Sequence, residues 1–536
     1  MLNKKKLLSC LLYVTIVLTI ETLAIEVQPR RAADCAYLSN KIYCYGGYVK
    51  GSSDDDSLIM LDLNKNDGKP FGNLINQWEN VTPVSNRIVF GRRAFAQAVA
   101  LPDGKSMMVQ GGYNYQSTSI EDQTIVYNAE TNAWSIQPNY YEPQNGGNRQ
   151  IYYGTGVYVD SINSIAFYGG YQQHVQNGTD YVKPDGTKIS GLTFNNSDGY
   201  INSFAGFYYL TLYDLYKNTW SVPAQTGTPT SYRISQTATY VPLSKKIYYF
   251  GGQYYNTTDS RLYNAYMDYV ITYDTVSSSW KYVYSTSNRS PSQRTMHSTT
   301  LLSDGYNILL YGGTFDGTVA LMDYCYTFNI QTAEWTFHNL VAPAGTSAPR
   351  SHHSAVMIDN STLGIFFGID KAGNPTNDLL IMDVRDVNQL SFSDTYPINT
   401  NLTTSSTNTT SSNDSTSGNS ATIGIAVGVS CGALAIIAAI VFYVLRKRKQ
   451  RSRHQVTQVS NNNHLHPETE MLEVDWDKID GQYYNQVDPP QQFVQLRSQS
   501  QITTQTPNEY PSPEGSSRHN VSPTMTVTYT KPDIGN

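Results

Sequence analysis

The sequence predicts an all-β outer domain of six repeated four-strand units, joined to one membrane-spanning helix and an unstructured tail. Three observations predict it. An apolar or tyrosine-rich run closing in Gly-Gly recurs along the first two thirds of the chain. Tryptophan recurs at one position of the same repeat. A 25-residue stretch without charge, Ala421 to Leu445, is followed at once by RKRKQRSR.

Residues 1–24 open with Lys4, Lys5 and Lys6, continue with the apolar run LLSCLLYVTIVLTI, and end Thr22-Leu23-Ala24. A basic start, an apolar centre and small residues at −3 and −1 read as a secretory signal peptide cleaved after Ala24. An uncleaved anchor is the alternative, but the apolar run is short for a span.

Residues 25–397 hold the repeats. The runs are IYCYGG, MMVQGG, IAFYGG, IYYFGG and ILLYGG, with GIFFGI as a sixth copy read as lacking its second glycine. First glycines are assigned to positions 46, 111, 169, 251, 312 and 368, so the period runs from 56 to 82 residues. Each run is followed by a variable stretch, an aromatic-aliphatic run, a turn and then Trp78, Trp134, Trp220, Trp280 or Trp335, with Leu390 in the sixth slot. Upstream of each run lies another strand-like segment and a turn such as Pro102-Asp103-Gly104. Short β-rich runs between turn signals argue for strands. Each unit therefore reads strand A, turn, strand B, loop, strand C, turn, strand D.

The unit resembles the kelch repeat, which opens strand A with Arg and often His, closes strand B with Gly-Gly and carries Trp on strand D. Arg93, Arg233, Arg294 and Arg350 each stand 18 residues before the assigned first glycine, and Arg149 stands 20 before. Arg-x-x-His is intact at Arg294/His297 and Arg350/His353, while the first unit lacks a well-placed copy. The resemblance spans roughly residues 33–395 and is to fungal-type single-pass membrane kelch proteins. It implies a six-bladed β-propeller, one four-stranded blade per repeat. Gly-Gly then marks a sharp backbone turn, and Trp an apolar face between blades.

Within that frame Asp34–Leu38 and Lys41–Tyr45 form a hairpin around a two-residue turn, Ser39-Asn40. Counting outward sets Cys35 opposite Cys44 at a close cross-strand position. In an oxidising compartment the pair is expected to form a disulfide, two free buried thiols being the alternative. Cys325, on strand C of blade five, reads as a buried small hydrophobe.

Copper-radical oxidases resembling galactose oxidase share the kelch fold, and the chain has 43 tyrosines. That site needs a Tyr-His pair, and no Tyr-His dipeptide occurs. Cys325 stands between Tyr324 and Tyr326, but neighbours on a strand point to opposite faces. No phosphate loop, Ser/His/Asp set or zinc spacing is present. The reading is non-enzymatic, with no cofactor and no metal.

In an antiparallel blade the B–C and D–A loops share one face. The B–C loops vary most, and the longest, about Tyr171 to Ala205, belongs to blade three. Function concentrates on variable loops held by a rigid scaffold. These loops begin with Tyr48, with Tyr113 and Tyr115, with Tyr171, and with Tyr254 and Tyr255. Tyrosine is a large amphipathic contact residue. With Arg93, Arg149, Arg233, Arg294 and Arg350 opening on the same side, this face is the candidate binding surface for a carbohydrate or protein ligand. The competing reading is that the tyrosines pack loops onto strands and the arginines brace the blades.

Asn-x-Ser/Thr sequons at Asn80, Asn177, Asn195, Asn256, Asn288, Asn360, Asn401, Asn408 and Asn413 mark candidate glycan sites. Residues 398–420, almost wholly Thr, Ser and Asn, read as an extended stalk. Residues 421–445 cover a ~30 Å hydrocarbon core at ~1.5 Å per residue, and the basic flank belongs in the cytoplasm. Gly424, Gly428 and Gly432 form one small-residue face that would pair spans into a homodimer. Residues 446–536 read as a disordered cytoplasmic tail with proline-directed sites at Thr506, Ser512 and Ser522. MLEVDWDKID (471–480) is the candidate segment for a cytoplasmic partner. The net charge of −6 says little by itself, and no domain-wide basic patch suggests nucleic acid. The whole reads as a single-pass protein of the plasma membrane or another secretory-pathway membrane, with its N-terminal part outside.

Overall fold

The structure is a computed structural model that describes residues 25–398, apart from 50–54, 67–73, 85–87, 89–90, 116–118 and 197–198. Residues 1–24, the remainder of the stalk, the span with Gly424, Gly428 and Gly432, Asn401, Asn408, Asn413, and the tail with Thr506, Ser512 and Ser522 lie outside the described residues. Among the described residues no helix is long and apolar enough to cross a membrane.

The described chain is all-β. Sheet one comprises Asp34–Leu38, Lys41–Tyr45, Leu58–Leu61 and Glu79–Val81, and sheet two Gln97–Ala100, Ser106–Gln110, Thr124–Asn128 and Ala133–Ile136. Sheet three comprises Ile151–Val159, Ser164–Gln172, Phe207–Asp214 and Thr219–Ser221, extended by Thr193–Asn195 and Ile201–Ser203 from its long loop. Sheet four is Thr237–Val241, Lys246–Phe250, Tyr269–Asp274 and Ser279–Tyr284; sheet five is Thr295–Leu301, Asn307–Thr314, Cys325–Asn329 and Glu334–Phe337. Sheet six is Ser354–Asp359, Thr362–Phe366, Leu379–Asp383 and Ser391–Ser393. The four main strands of each sheet are antiparallel and lie in chain order.

The first strands pack against one another in cyclic order, from Asp34–Leu38 through Gln97–Ala100, Ile151–Val159, Thr237–Val241 and Thr295–Leu301 to Ser354–Asp359, which returns to Asp34–Leu38. Apolar clusters fill the wedges between sheets. One joins Ile42, Ile59 and Trp78 to Val356, Phe366 and Ile381, closing the ring between sheets six and one. In three others, the tryptophan of one sheet reaches the residue just before the glycine pair of the sheet before it. Trp134 lies 5.0 Å from Tyr45, Trp280 4.5 Å from Tyr168 and Trp335 5.6 Å from Phe250, centroid to centroid. Sheet two offers Gln110 at that slot, and Trp220 instead packs on Tyr140 and Phe207 and donates to the Pro138 carbonyl.

The glycine pairs serve the ring. Both members of each of the five intact pairs have positive φ, and in four of them the second donates its amide to a carbonyl of the next sheet. Gly47 reaches Arg93 O (3.1 Å), Gly112 Ile151 O (2.8 Å), Gly252 Arg294 O (2.9 Å) and Gly313 Arg350 O (2.8 Å). At the closure Gly368 reaches Arg30 O (3.0 Å). This corrects the sequence assignment in sheet six: Gly368 occupies the second slot, and the first is held by Phe367 at φ 61°. The turn after Asp359 is one residue shorter there, which moved the apparent spacing by one.

The hairpin of sheet one has the register the sequence predicts, Leu38 with Lys41 and Cys35 with Cys44. Ser39 and Asn40 both adopt positive φ, as a tight two-residue turn requires. Cys35 and Cys44 form a disulfide with their Cα atoms 4.1 Å apart. Cys325 is free and buried, and burial pushes its thiol pKa far up.

Candidate ligand-binding face

The loops after the glycine pairs gather on one side of the ring, and aromatic rings link them. Tyr48 of sheet one lies 5.4 Å from Phe95 and 5.3 Å from Tyr115. Tyr115 meets Tyr113, Tyr113 meets Tyr152, and Tyr152 meets Tyr171, at 4.9, 5.0 and 5.4 Å. Tyr171 continues to Phe204, which stacks on Tyr255 of sheet four at 3.8 Å. The sequence-predicted tyrosines are thus brought together, but not as a row of open rings. Tyr113, Tyr171 and Tyr255 are buried, while Tyr48, Tyr115 and Tyr254 keep part of their surface. Burial raises the Tyr48 hydroxyl pKa well above its ordinary value, and the neighbouring Tyr115 adds to this.

The long loop of sheet three causes that burial. Asn196 donates to Tyr113 Oη (2.7 Å), Tyr200 to the Tyr115 carbonyl (2.9 Å), and Tyr255 to the Gly191 carbonyl (3.3 Å). Below it, Gln173 accepts from the Asn114 amide and donates to the Asn114 carbonyl, while Gln150 donates to Gln173 and to Gly112. Paired amides satisfy these buried polar groups, and so hold the loop firmly over sheet two.

The arginines stand beneath this face. Arg93 donates to the carbonyls of Gly111, Gln123 and Asp122, and Arg294 to Gly312, Asp323 O and the Asp323 carboxylate. Arg350 pairs with both oxygens of Asp378 at 2.8 and 2.9 Å. All three are fully buried and spend their donors on the protein itself. In sheet three the structural position belongs to Ile151, whose carbonyl takes the glycine amide. Arg149 instead makes a buried pair with Glu142 at 2.6 Å and bonds to the Ala205 carbonyl at the base of the long loop. The sequence missed the brace of sheet one, Arg30, which reaches Gly46 O and Asp55. It stands 16 residues before Gly46, because the two-residue hairpin turn shortens the spacing. Arg233 is the exception to this bracing. Among the described residues its one hydrogen bond is to Tyr269 Oη at 3.4 Å.

Sequence reading also missed the rim of the ring. Ala32, Phe95, Tyr153, Ser235, Met296 and His352 each stand just before or at the start of a first strand, and each have positive φ. The Tyr153 amide donates to Phe95 O, Ser235 to Tyr153 O, His352 to Met296 O and Ala32 to His352 O, at 2.8 to 3.1 Å. Their position, two residues after the brace, was the available signal. Phe95 and His352 approach to 6.0 Å past the small Ala32. Around the rim Tyr266, Phe315, Val319 and Met322 on the loops of sheets four and five are 43–64% exposed.

His297 and His353 face inward. Each shares a hydrogen bond with the preceding sheet, to Thr237 Oγ1 (3.0 Å) and Ser298 Oγ (2.8 Å). Burial, with Arg294 and Arg350 beside them, lowers both pKa values to about 3. Among the described residues no group of three or more His, Cys, Asp or Glu side chains is placed to hold a metal. Five described sequons, at Asn80, Asn177, Asn195, Asn288 and Asn360, present exposed side chains, and Asn256 is half-buried.

No curated protein matches the chain. Residues 194–388 match the family model for the KLHDC2/KLHL20/DRC7 Kelch-repeats domain, covering the end of sheet three, sheets four and five, and the first three strands of sheet six. Over that region the chain is similar to kelch repeats, and Gly-Gly and tryptophan recur at matching places in the three preceding sheets.

Proposed function

We propose that the chain is a single-pass surface glycoprotein whose six-bladed kelch propeller is a non-enzymatic module for recognition, adhesion or sensing. Kelch repeats generally mediate protein binding. The observation that carries the reading is the aromatic face described above, on which four loops converge beside exposed Tyr266, Phe315, Val319 and Met322. Apolar surface rimmed by polar groups on a rigid scaffold is what a partner or a saccharide would use. Six four-stranded sheets in cyclic contact support the blade count. The uncharged stretch 421–445 with its basic flank supports the span, and the sequons support a secretory-pathway route.

The test is binding of the full chain, in detergent, to an array of defined extracellular proteins and glycans. Phe315→Asp with Met322→Asp should weaken its hits about tenfold or more, as loss of interface anchors does. Tyr216→Asp with Val276→Asp, on the C–D turns of the opposite face, should leave them intact. Equal loss from both faces would overturn the assignment. Stoichiometric copper together with hydrogen peroxide release would overturn the non-enzymatic reading.

A further inference from the structure

Arg233 opens sheet four as the other arginines open theirs, and it is 6% exposed. Its surroundings differ. Arg30, Arg149, Arg294 and Arg350 each have a carboxylate partner, and Arg93 has several backbone carbonyls. Among the described residues Arg233 has neither. Its Nε is buried without a partner, and its only bond is the long one to Tyr269 Oη. The guanidinium lies between two ring faces, 5.6 Å from the Tyr254 centroid and 5.9 Å from that of Tyr269. Ring quadrupoles attract a cation, yet they supply no anion to a desolvated charge.

The rings around it extend outward to solvent. Arg233 pairs in register with Tyr254, and Tyr254 with Tyr263, across a small sheet of Tyr232–Ile234, Gln253–Asn256 and Arg261–Asn264. Tyr263 stacks on Tyr254 at 5.6 Å and an interplanar angle of 28°. On the other side Tyr269 meets Tyr282 and Tyr284, which are 44% and 68% exposed. The nearby carboxylate, Asp259, accepts from Tyr263 Oη at 2.6 Å and from the Arg261 amide rather than pairing with Arg233.

We propose that Arg233 and these tyrosines form a subsite for an acidic saccharide, the carboxylate of a uronic-acid residue pairing with the guanidinium and the sugar rings lying on the tyrosine faces. A planar guanidinium matches a carboxylate with two parallel bonds, and among the described residues its one hydrogen bond is the long one to Tyr269 Oη. The proposal rests on the binding-face reading and names the ligand chemistry for one part of it. An acidic peptide would satisfy the charge, but it would leave the exposed rings of Tyr282 and Tyr284 without flat partners.

The experiment is calorimetric titration of the full chain with trigalacturonate, with neutral galactotriose and with an acidic hexapeptide. The protein carries Asn256→Gln, so that no attached glycan can occupy the neighbouring tyrosines. Trigalacturonate is expected to bind about tenfold or more tighter than galactotriose, and Arg233→Gln to remove that advantage. Because Arg233 is buried, Tyr284→Ala on the surface is the second variant. It should weaken trigalacturonate several-fold without changing the melting temperature. Equal affinity for the neutral sugar, binding unchanged in both variants, or binding of the hexapeptide in place of the saccharide overturns the subsite. Absence of heat with all three probes does so too, while array binding lost in the Phe315/Met322 variant would still stand for the wider face.

Discussion

The Gly368 amide donates to the Arg30 carbonyl at 3.0 Å, tying the last sheet to the segment that precedes the first. Each sheet is built from one continuous stretch of chain, so no shared strand fastens the ring. Closure rests on this bond, on the Arg30–Thr376 bridge, on the Ala32 amide at His352 O, and on the cluster around Trp78.

Trp78 should therefore be the costliest of the tryptophans to remove. It is 1% exposed against Phe366 and Phe367. Trp78→Ala is expected to cost about 3–5 kcal/mol by the large-to-small rule. Trp220→Ala should cost less, because Trp220 is half-buried and Gln110 stands where its apolar partner would be. Urea denaturation followed by far-UV circular dichroism compares the two, and a larger loss for Trp220→Ala would contradict this account of closure.

Positive-φ glycines should divide sharply by their surroundings. A Cβ at Gly111 would lie 2.0 Å from the Ile151 carbonyl oxygen, whereas one at Gly104 meets nothing within 4 Å. Both have similar φ, 64° and 67°. Gly104→Ala should cost only the left-handed backbone term, about 1–2 kcal/mol. Gly111→Ala adds the clash and should reduce the yield of folded protein severely. Similar melting temperatures for the two would refute the close-packing role.

The Cys35–Cys44 disulfide closes a loop with a sequence separation of 9. Chain-entropy reasoning gives a stabilisation of roughly 2–3 kcal/mol for so short a loop. The Cys35→Ser, Cys44→Ser double variant should lose that amount by denaturant titration, and reductant should destabilise the wild type but not the variant.

His297 is held neutral, with a folded pKa near 3 against 6.5 for an exposed imidazole. The unfolded chain takes up this proton first, so the group's contribution is complete above about pH 6.5 and is lost as pH falls towards 3. Within that window each such histidine gives a slope of about 1.4 kcal/mol per pH unit. His297→Gln should be less stable than wild type at pH 7.5 and should lose less on acidification to pH 5. A constant difference between the two from pH 7.5 to 5 would sink the prediction.

Much of this molecule was legible in its sequence. Strand order, the hairpin at Ser39-Asn40, the cysteine pairing and the buried Cys325 follow from features local in the chain: turn residues, alternation, and a repeat that restates the same rules in each unit. What tertiary structure decided is what local spacing cannot encode. The sequence placed Arg149 by type, but the count from the glycine pair gives the position to Ile151. It placed Tyr113, Tyr171 and Tyr255 on an open face, but the loop from sheet three lies over them, held by Asn196, Gln150 and Gln173. Arg233 reads in sequence like its counterparts, and only the three-dimensional neighbourhood shows that no anion among the described residues answers it. Repeat spacing reports on backbone geometry, which each unit satisfies by itself. Burial and charge compensation depend on groups from different sheets meeting in space, and those meetings exist only once the ring has closed.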